Sequence, residues 1–366
     1  MSSTHLDLWI GTYPRAGAGS PAGRGEGVWR ARFDLATGSW REARQVTDLP
    51  APSFLVAHPS GAVLYAVGET ADGTVTALAT DGVESAAGTL RTLGTVRSGG
   101  DDPCHLLLSS DARTLYVSNY SSGTIGVLSL TPEGGWSPEV VAAGGPVQVF
   151  GAEDSASSGV GPESERQDAP HAHATMVAPG GRHLLATDLG TDELRSFRIR
   201  RDGRLDADGI ALRLPAGTGP RHLAEGPGGH VYVVGELDSS VHVVRWDPTA
   251  AALVQTVPAC TAGPRADGQG VRALPSHVQV VGGVAIVSVR GADVLATFAV
   301  SPGGSRLDPL GERPSGGTWP RHFARVGGVT VMANQVSSTV VVARDAEAGT
   351  HRLELPSPAC VVPIGT

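Results

Sequence analysis

Short runs rich in β-branched and aromatic residues recur along the chain, each bracketed by Gly-rich turns. VLYAVG, TLYVSN, HLLATD, HVYVVG, VAIVSV and VTVMAN begin at residues 63, 114, 183, 230, 284 and 329. That composition predicts pleated strands. A shorter strand and a turn precede each run. A third strand follows, as in TIGVLSL, ELRSFRI, SVHVVRW, VLATFAV and TVVVARD, and then a more variable fourth. Each block opens on a three-residue element: Pro52-Ser53-Phe54, Pro103-Cys104-His105, Ala172-His173-Ala174, Pro220-Arg221-His222, Pro275-Ser276-His277 and Pro320-Arg321-His322. The openers stand roughly 45–70 residues apart, the period of four-stranded propeller blades.

Residues 6–50 contain only the later strands of a blade (LDLWIGTY, GVWRARFD, WREARQVTD), and the opener they lack stands at the far end as Pro358-Ala359-Cys360. The pattern therefore predicts an all-β, seven-bladed β-propeller of four-stranded antiparallel blades, a single domain over residues 1–366. Strands from 6–50 and 358–366 would share one blade, closing the ring and tying down both ends. A pair of β-sandwiches, the main rival, leaves six repeats in register unexplained.

Within this frame the stretch Gly219–Asp238 reads as two strands joined by Gly226-Pro227-Gly228-Gly229. Arg221-His222 and Glu236 then fall at its outer ends, side by side at one edge of the sheet.

Composition narrows the function. Fifty Gly and 26 Pro among 366 residues fit many turns, and 40% hydrophobic residues suffice for a sizeable core. A net charge of −8 offers no general attraction to nucleic acid or to an anionic membrane. All 28 basic residues are arginine, so Schiff-base chemistry from a lysine is excluded. No apolar run approaches the ~20 residues of a membrane span, and the start MSSTHLDLWIGTY lacks a basic region followed by an apolar one. A cytoplasmic protein is expected, a monomer or weak homodimer without cofactor or metal. Cys104, Cys260 and Cys360 lack CxxC spacing, and Cys104 reads as a small, partly buried filler in preference to a reactive thiol.

Comparing the repeats column by column separates scaffold from candidate chemistry, because a residue that breaks the pattern is a candidate for function. The last opener position reads Phe54, His105, Ala174, His222, His277, His322 and Cys360. Its four histidines could serve a metal or a proton relay. Ring-related positions are expected to be too far apart to share one ion, so the imidazoles are expected to hydrogen-bond neighbouring backbone. The middle position reads Ser53, Cys104, His173, Arg221, Ser276, Arg321 and Ala359. The column past the second strand reads Glu69, Tyr120, Leu189, Glu236, Arg290 and Gln335. His173, Arg221, Glu236 and Arg290 thus come from three adjacent blades and can converge on the channel mouth; ordinary surface ion pairs are the plainer alternative. The residue before that column is Gly68, Asn119, Asp188, Gly235, Val289 or Asn334. This suggests a left-handed turn position, from which Val289 departs by a different turn or by strain.

These positions, with WIGTY, PSFLVAHPSG, DPCH, RQDAPHAH, GTGPRH, GELDSSV, TWPRHF, ANQ and PSPACV in order, resemble the bacterial lactonases of the 6-phosphogluconolactonase type. Fungal carboxymuconate-lactonising enzymes are similar to that family. The resemblance spans nearly the whole chain. It implies a seven-bladed propeller with its site at one channel mouth, and a His, an Arg, a Glu and a second Arg that match His173, Arg221, Glu236 and Arg290. The family usually has Asn where this chain has Gly68, Gly235 and Val289. It also usually has a His ahead of the RQ motif, where this chain has GAEDSASSGVGPESE. Residues 145–169, the longest irregular stretch, are expected to form a lid over the site.

A reaction that opens or closes a lactone passes through negative charge on oxygen, which two arginines can hold. His173 could take a proton from water. Glu236 could orient His173, serve as the base itself, or pair with Arg221. Arg321, His171, His105, His222 and Glu69 are candidate substrate contacts. The expected function is hydrolysis of an anionic sugar lactone such as 6-phosphogluconolactone. The alternatives are a cycloisomerase interconverting an unsaturated acid and its lactone, a recruited biosynthetic enzyme, or a non-catalytic binding propeller. Six Phe, six Trp and five Tyr make the last the weakest.

Overall fold

The computed structural model describes residues 4–13, 23–81, 88–151, 161–261, 272–345 and 349–365. Their strands form seven four-stranded antiparallel sheets. Six sheets run from inner to outer strand in chain order. In the seventh, blade one, Pro358–Pro363 is the inner strand and pairs with His5–Thr12, Val28–Asp34 and Ser39–Thr47 in succession. Blades two to seven open at Leu55, Pro103, Ala172, Pro220, Leu274 and Pro320.

The second strands are buried along their whole length because each blade is packed on both faces. In blade two, Val63, Tyr65 and Val67 meet Leu106, Leu115 and Val117 of blade three, while Leu64 and Ala66 meet Trp9 and Val28 of blade one. The period-2 alternation of a strand therefore separates one apolar interface from the next, not core from solvent. Seven such clusters straddle the seven blade junctions. The tyrosine in the second strands of blades two, three and five adds a polar tie to the next blade. Tyr65 donates to the Gly134 carbonyl at 2.6 Å, Tyr116 to Gly203 at 2.9 Å and Tyr232 to Gly304 at 2.9 Å. The fourth strands face solvent along most of their length, as in Arg91–Arg97, which accounts for their variability.

Three local expectations change. Residues 145–151 are not irregular throughout, because Gln148–Phe150 is the outer strand of blade three. Ahead of it lies an unforeseen helix, Pro138–Ala143, capped by the Ser137 hydroxyl and ended by Gly144 at φ 61°. The part of the proposed lid at 152–160 lies outside the described residues. The Asn/Asp/Gly column is also not left-handed: the positive φ falls four residues later, at Gly123, Asp192, Ser239, Asp293 and Ser338. Asp188 instead braces the turn with its side chain, accepting from the amides of Gly190 and Thr191 at 3.1 and 3.2 Å. At Gly235 a Cβ would stand 2.2 Å from the Asp238 carboxylate, which fills that space. Val289 lies in an ordinary strand and pairs with Val294, with neither a different turn length nor a positive φ.

Candidate active site

A β-bulge on the inner strand explains the middle opener column. In blades three, four, six, seven and one the register shifts by one residue, leaving Cys104, His173, Ser276, Arg321 and Ala359 as the extra residue. In blade five the irregularity spans Arg221 and His222. A bulge bends the strand and re-aims one side chain. The repeat therefore builds an aimed position into each blade, and blades four, five and seven fill it with a histidine or an arginine.

Glu236 is the hub of the site. Its Oε2 lies 2.6 Å from Arg290 Nη2 and 2.9 Å from Arg221 Nε, and its Oε1 lies 2.8 Å from Arg166 Nη2. The Arg221 contact is a charge contact, without the straight N–H···O line of a hydrogen bond. Burial alone would raise the Glu236 pKa, but Arg290, Arg166 and Arg221 together hold it well below the usual carboxylate range. Burial, then Arg290, lowers Arg221 to about 9, so it remains cationic at neutral pH. Backbone carbonyls of blade six fix both inner arginines. Arg221 Nη1 donates to Ser276 O, and Arg290 donates from Nε to Leu274 O at 3.2 Å and from Nη2 to Pro275 O at 3.5 Å. Trp319, at φ 68°, places its ring 5.5 Å from the Arg290 guanidinium.

His173 is buried beside this hub, with its ring 5.7 Å from Tyr120 in an edge contact. Burial, then Arg221, pushes its pKa well below the ordinary 6.5, which keeps the imidazole neutral. Among the described residues no hydrogen bond joins it to Glu236, whose oxygens both face guanidiniums. Of the three roles open to Glu236 from sequence, the geometry favours pairing with arginines. The Cys104 thiol donates to His173 O at 3.3 Å, and burial pushes its pKa upward, so it stays protonated.

Arg321 and Glu69 form a second pair at 3.8 Å, outside the Glu236 hub. Glu69 also accepts from the Ser53 hydroxyl, and Arg321 lies 4.1 Å over the Tyr13 ring and reaches Gln335 Oε1 at 3.4 Å. His171 sits at the rim, stacked on Tyr120 at 4.4 Å. Its Nδ1 faces Tyr120 O and its Nε2 faces Asp168 Oδ1, both at 3.0 Å, so both ring nitrogens are already engaged and neither is left for a substrate.

His105 and His222 line the channel interior instead of the mouth, and here the expected separation is corrected. The inner strands converge so closely that the imidazoles touch: ring centroids are 5.3 Å apart for His105–His222, 5.1 Å for His222–His277 and 4.1 Å for His277–His322, with Phe54 packed against His105 at 4.6 Å. His105 and His322 accept from the amides of Thr175 and Val361 in the next blade, both at 3.4 Å. His222 and His277 instead share a 2.8 Å Nδ1–Nδ1 hydrogen bond. Among the described residues no group of three or more His, Cys, Asp or Glu is arranged to hold a metal.

Arg166 escaped the column comparison because it lies in the non-repeating segment that enters blade four. Its only trace in the sequence is the RQ of RQDAPHAH. Tyr13, beside Arg321, stands directly after the second strand of its blade, where Glu69 and Tyr120 stand in theirs, but in the shared blade one, whose strands lie at opposite ends of the sequence.

The family model described as a lactonase with a seven-bladed β-propeller matches residues 7–363. The 6-phosphogluconolactonase of Bacillus subtilis (strain 168) is 28% identical over 364 residues, covering 96% of this chain and 97% of its own. The 6-phosphogluconolactonase of Formosa agariphila is 26% identical over 337 residues, covering 89% and 90%. Among solved structures, the periplasmic gluconolactonase of Pseudomonas aeruginosa superimposes with a TM-score of 0.82 at 27% identity, covering 99% of each chain. No helix among the described residues is long and apolar enough to cross a membrane.

Proposed function

The chain belongs to the seven-bladed β-propeller lactonase family, and we propose that within it this protein hydrolyses an anionic sugar lactone such as 6-phosphogluconolactone. One observation carries the anionic part of this reading: three guanidiniums surround one carboxylate in a buried mouth, so among the described residues two positive charges around Glu236 are left unbalanced. In a low-dielectric site such a surplus favours an anionic ligand and an oxyanionic transition state.

In the proposed reaction, neutral His173 accepts a proton from water as the water oxygen bonds to the lactone carbonyl carbon. Arg221 and Arg290, anchored to blade-six carbonyls, hold the oxyanion that forms. As the tetrahedral intermediate collapses, the ring C–O bond breaks and the leaving oxygen takes the proton back from His173, giving a hydroxy acid. Glu236 keeps its guanidiniums from repelling one another and transfers no proton. The named relatives above are hydrolases, which supports water addition over isomerisation.

The test is incubation with 6-phosphogluconolactone and mass analysis of the product. Gain of one water with loss of the reaction in His173→Asn and Arg221→Met supports the proposal. An unchanged mass, or variants as fast as wild type, overturns it.

A further inference from the structure

Arg166 differs from the other guanidiniums on Glu236 in its exposure and its bonding. Its side chain is 22% exposed, against 3% for Arg221 and 1% for Arg290. The inner pair donate to backbone carbonyls of blade six. Among the described residues Arg166 makes no such bond. Its Nη2 serves Glu236 Oε1 at 2.8 Å and the Tyr120 hydroxyl at 3.2 Å, while its Nε is buried and has no hydrogen-bond partner among the described residues. Arg221 Nε is unpartnered in the same way, so the exposure of its side chain is what sets Arg166 apart.

Its position is nonetheless fixed. Arg166 lies on a turn whose next residue, Gln167, is wholly buried. Gln167 accepts from the Glu163 amide at 3.2 Å and donates to Leu189 O at 2.9 Å and Asp192 Oδ1 at 2.8 Å. Asp192 also accepts from the amides of Gly217 and Gly219, each at 2.7 Å, on the approach to Arg221. One carboxylate therefore braces both the segment carrying Arg166 and the segment carrying Arg221. From the other side Arg272 Nη1 reaches Glu163 Oε2 at 3.0 Å.

We propose that Arg166 grips the anionic substituent of the substrate and sets the preference for phosphorylated over neutral sugar lactones. This rests on the lactonase reading above and divides the labour within it: the buried, anchored arginines face the reacting ester, and the rim arginine reads the tail. A part-exposed guanidinium that is not tied to the blade-six backbone suits a phosphate, which offers acceptors in several directions.

The experiment compares binding of 6-phosphogluconate and gluconate by calorimetry in wild type, Arg166→Gln and Arg166→Lys, with KM and kcat for the two lactones alongside. Wild type is expected to favour the phosphorylated acid. Arg166→Gln should lose about tenfold to a hundredfold of that preference, the worth of one charge-assisted hydrogen bond. Arg166→Lys should keep part of it, and the kinetic loss should fall on KM more than on kcat. A wild type without preference, or an Arg166→Gln that keeps it, overturns the proposal. Equal loss for both acids with a lowered melting temperature also overturns it, because Arg166 would then only brace Glu236. An Arg166-dependent preference in a protein that hydrolyses neither lactone would sink the reaction and leave Arg166 as an anion receptor.

Discussion

Arg290 Nη2 lies 2.6 Å from Glu236 Oε2, although the two residues hold equivalent positions in neighbouring blades, 54 residues apart in number. Near the axis of a propeller, equivalence in the repeat becomes contact. A column of aligned residues is therefore also a ring of neighbours, and one carboxylate in it can gather arginines from either side.

Removing that carboxylate should be expensive. Glu236→Gln keeps the shape but leaves buried guanidiniums facing one another, so a loss of about 3–5 kcal/mol is expected. Urea unfolding at pH 7 measures it. A variant as stable as wild type would show that the arginines do not need Glu236.

Because burial and Arg221 push the His173 pKa well below 6.5, the base is already unprotonated throughout the neutral range. Plots of kcat/KM for lactone hydrolysis should stay level from neutrality down past pH 6.5 and fall only in clearly acidic solution. His173→Asn should lower kcat by roughly 10²–10⁴. An acid limb near pH 6.5 that persists in His173→Asn would assign the proton transfer to another group.

The channel imidazoles make stability depend on pH. Burial, then Arg221, lowers His105 and His322 to about 3, and burial with neighbouring charges lowers His222 and His277 well below 6.5. In acid the unfolded chain binds protons that the folded chain refuses. Stability from these groups is thus intact above about pH 6.5 and drains away as pH falls towards the folded values, each histidine contributing about 1.4 kcal/mol per pH unit. Denaturant midpoints between pH 7 and pH 5 should fall steeply, and His322→Phe, packed beside Phe54, should make the slope shallower by one proton. An unchanged slope would mean that His322 takes up a proton in the folded state.

Gln167→Ala should cost about 1–3 kcal/mol, since it strips buried partners from Leu189 O and Asp192. Its effect on lactone turnover should fall on KM with kcat nearly intact, because it loosens the segment that presents Arg166. A fall in kcat alone would contradict this positioning role.

How far the sequence could be read depends on which features repeat. The strands, the seven blades and the shared closing blade are periodic, and Arg221, Glu236 and Arg290 stand out because they break that period. The bulge that aims Arg221 and His173 is invisible in residue types, since the same position accepts Ser, Cys and Ala elsewhere. Arg166 and Gln167 lie outside the repeat, where a column comparison has nothing to align. That the imidazoles touch is hidden as well, because spacing along the chain gives no measure of distance across the axis. The Asn, Asp and Gly at the strand ends share a tolerance for left-handed backbone, yet Asp188 is used for its hydrogen-bonding side chain and Gly235 for the room it leaves Asp238.

The pairing of His5–Thr12 with Pro358–Pro363 also sets a timetable for biosynthesis. The opening strand waits without its inner partner while six blades are translated, and the wheel can shut only when the twenty-eighth strand has been made. Tyr13, directly after that opening strand, lies against Arg321 from the blade translated last, so the mouth gains its full lining only at that final step. A chain cut short before Pro358 would carry every ionisable group of the site and still lack the latch that holds them together.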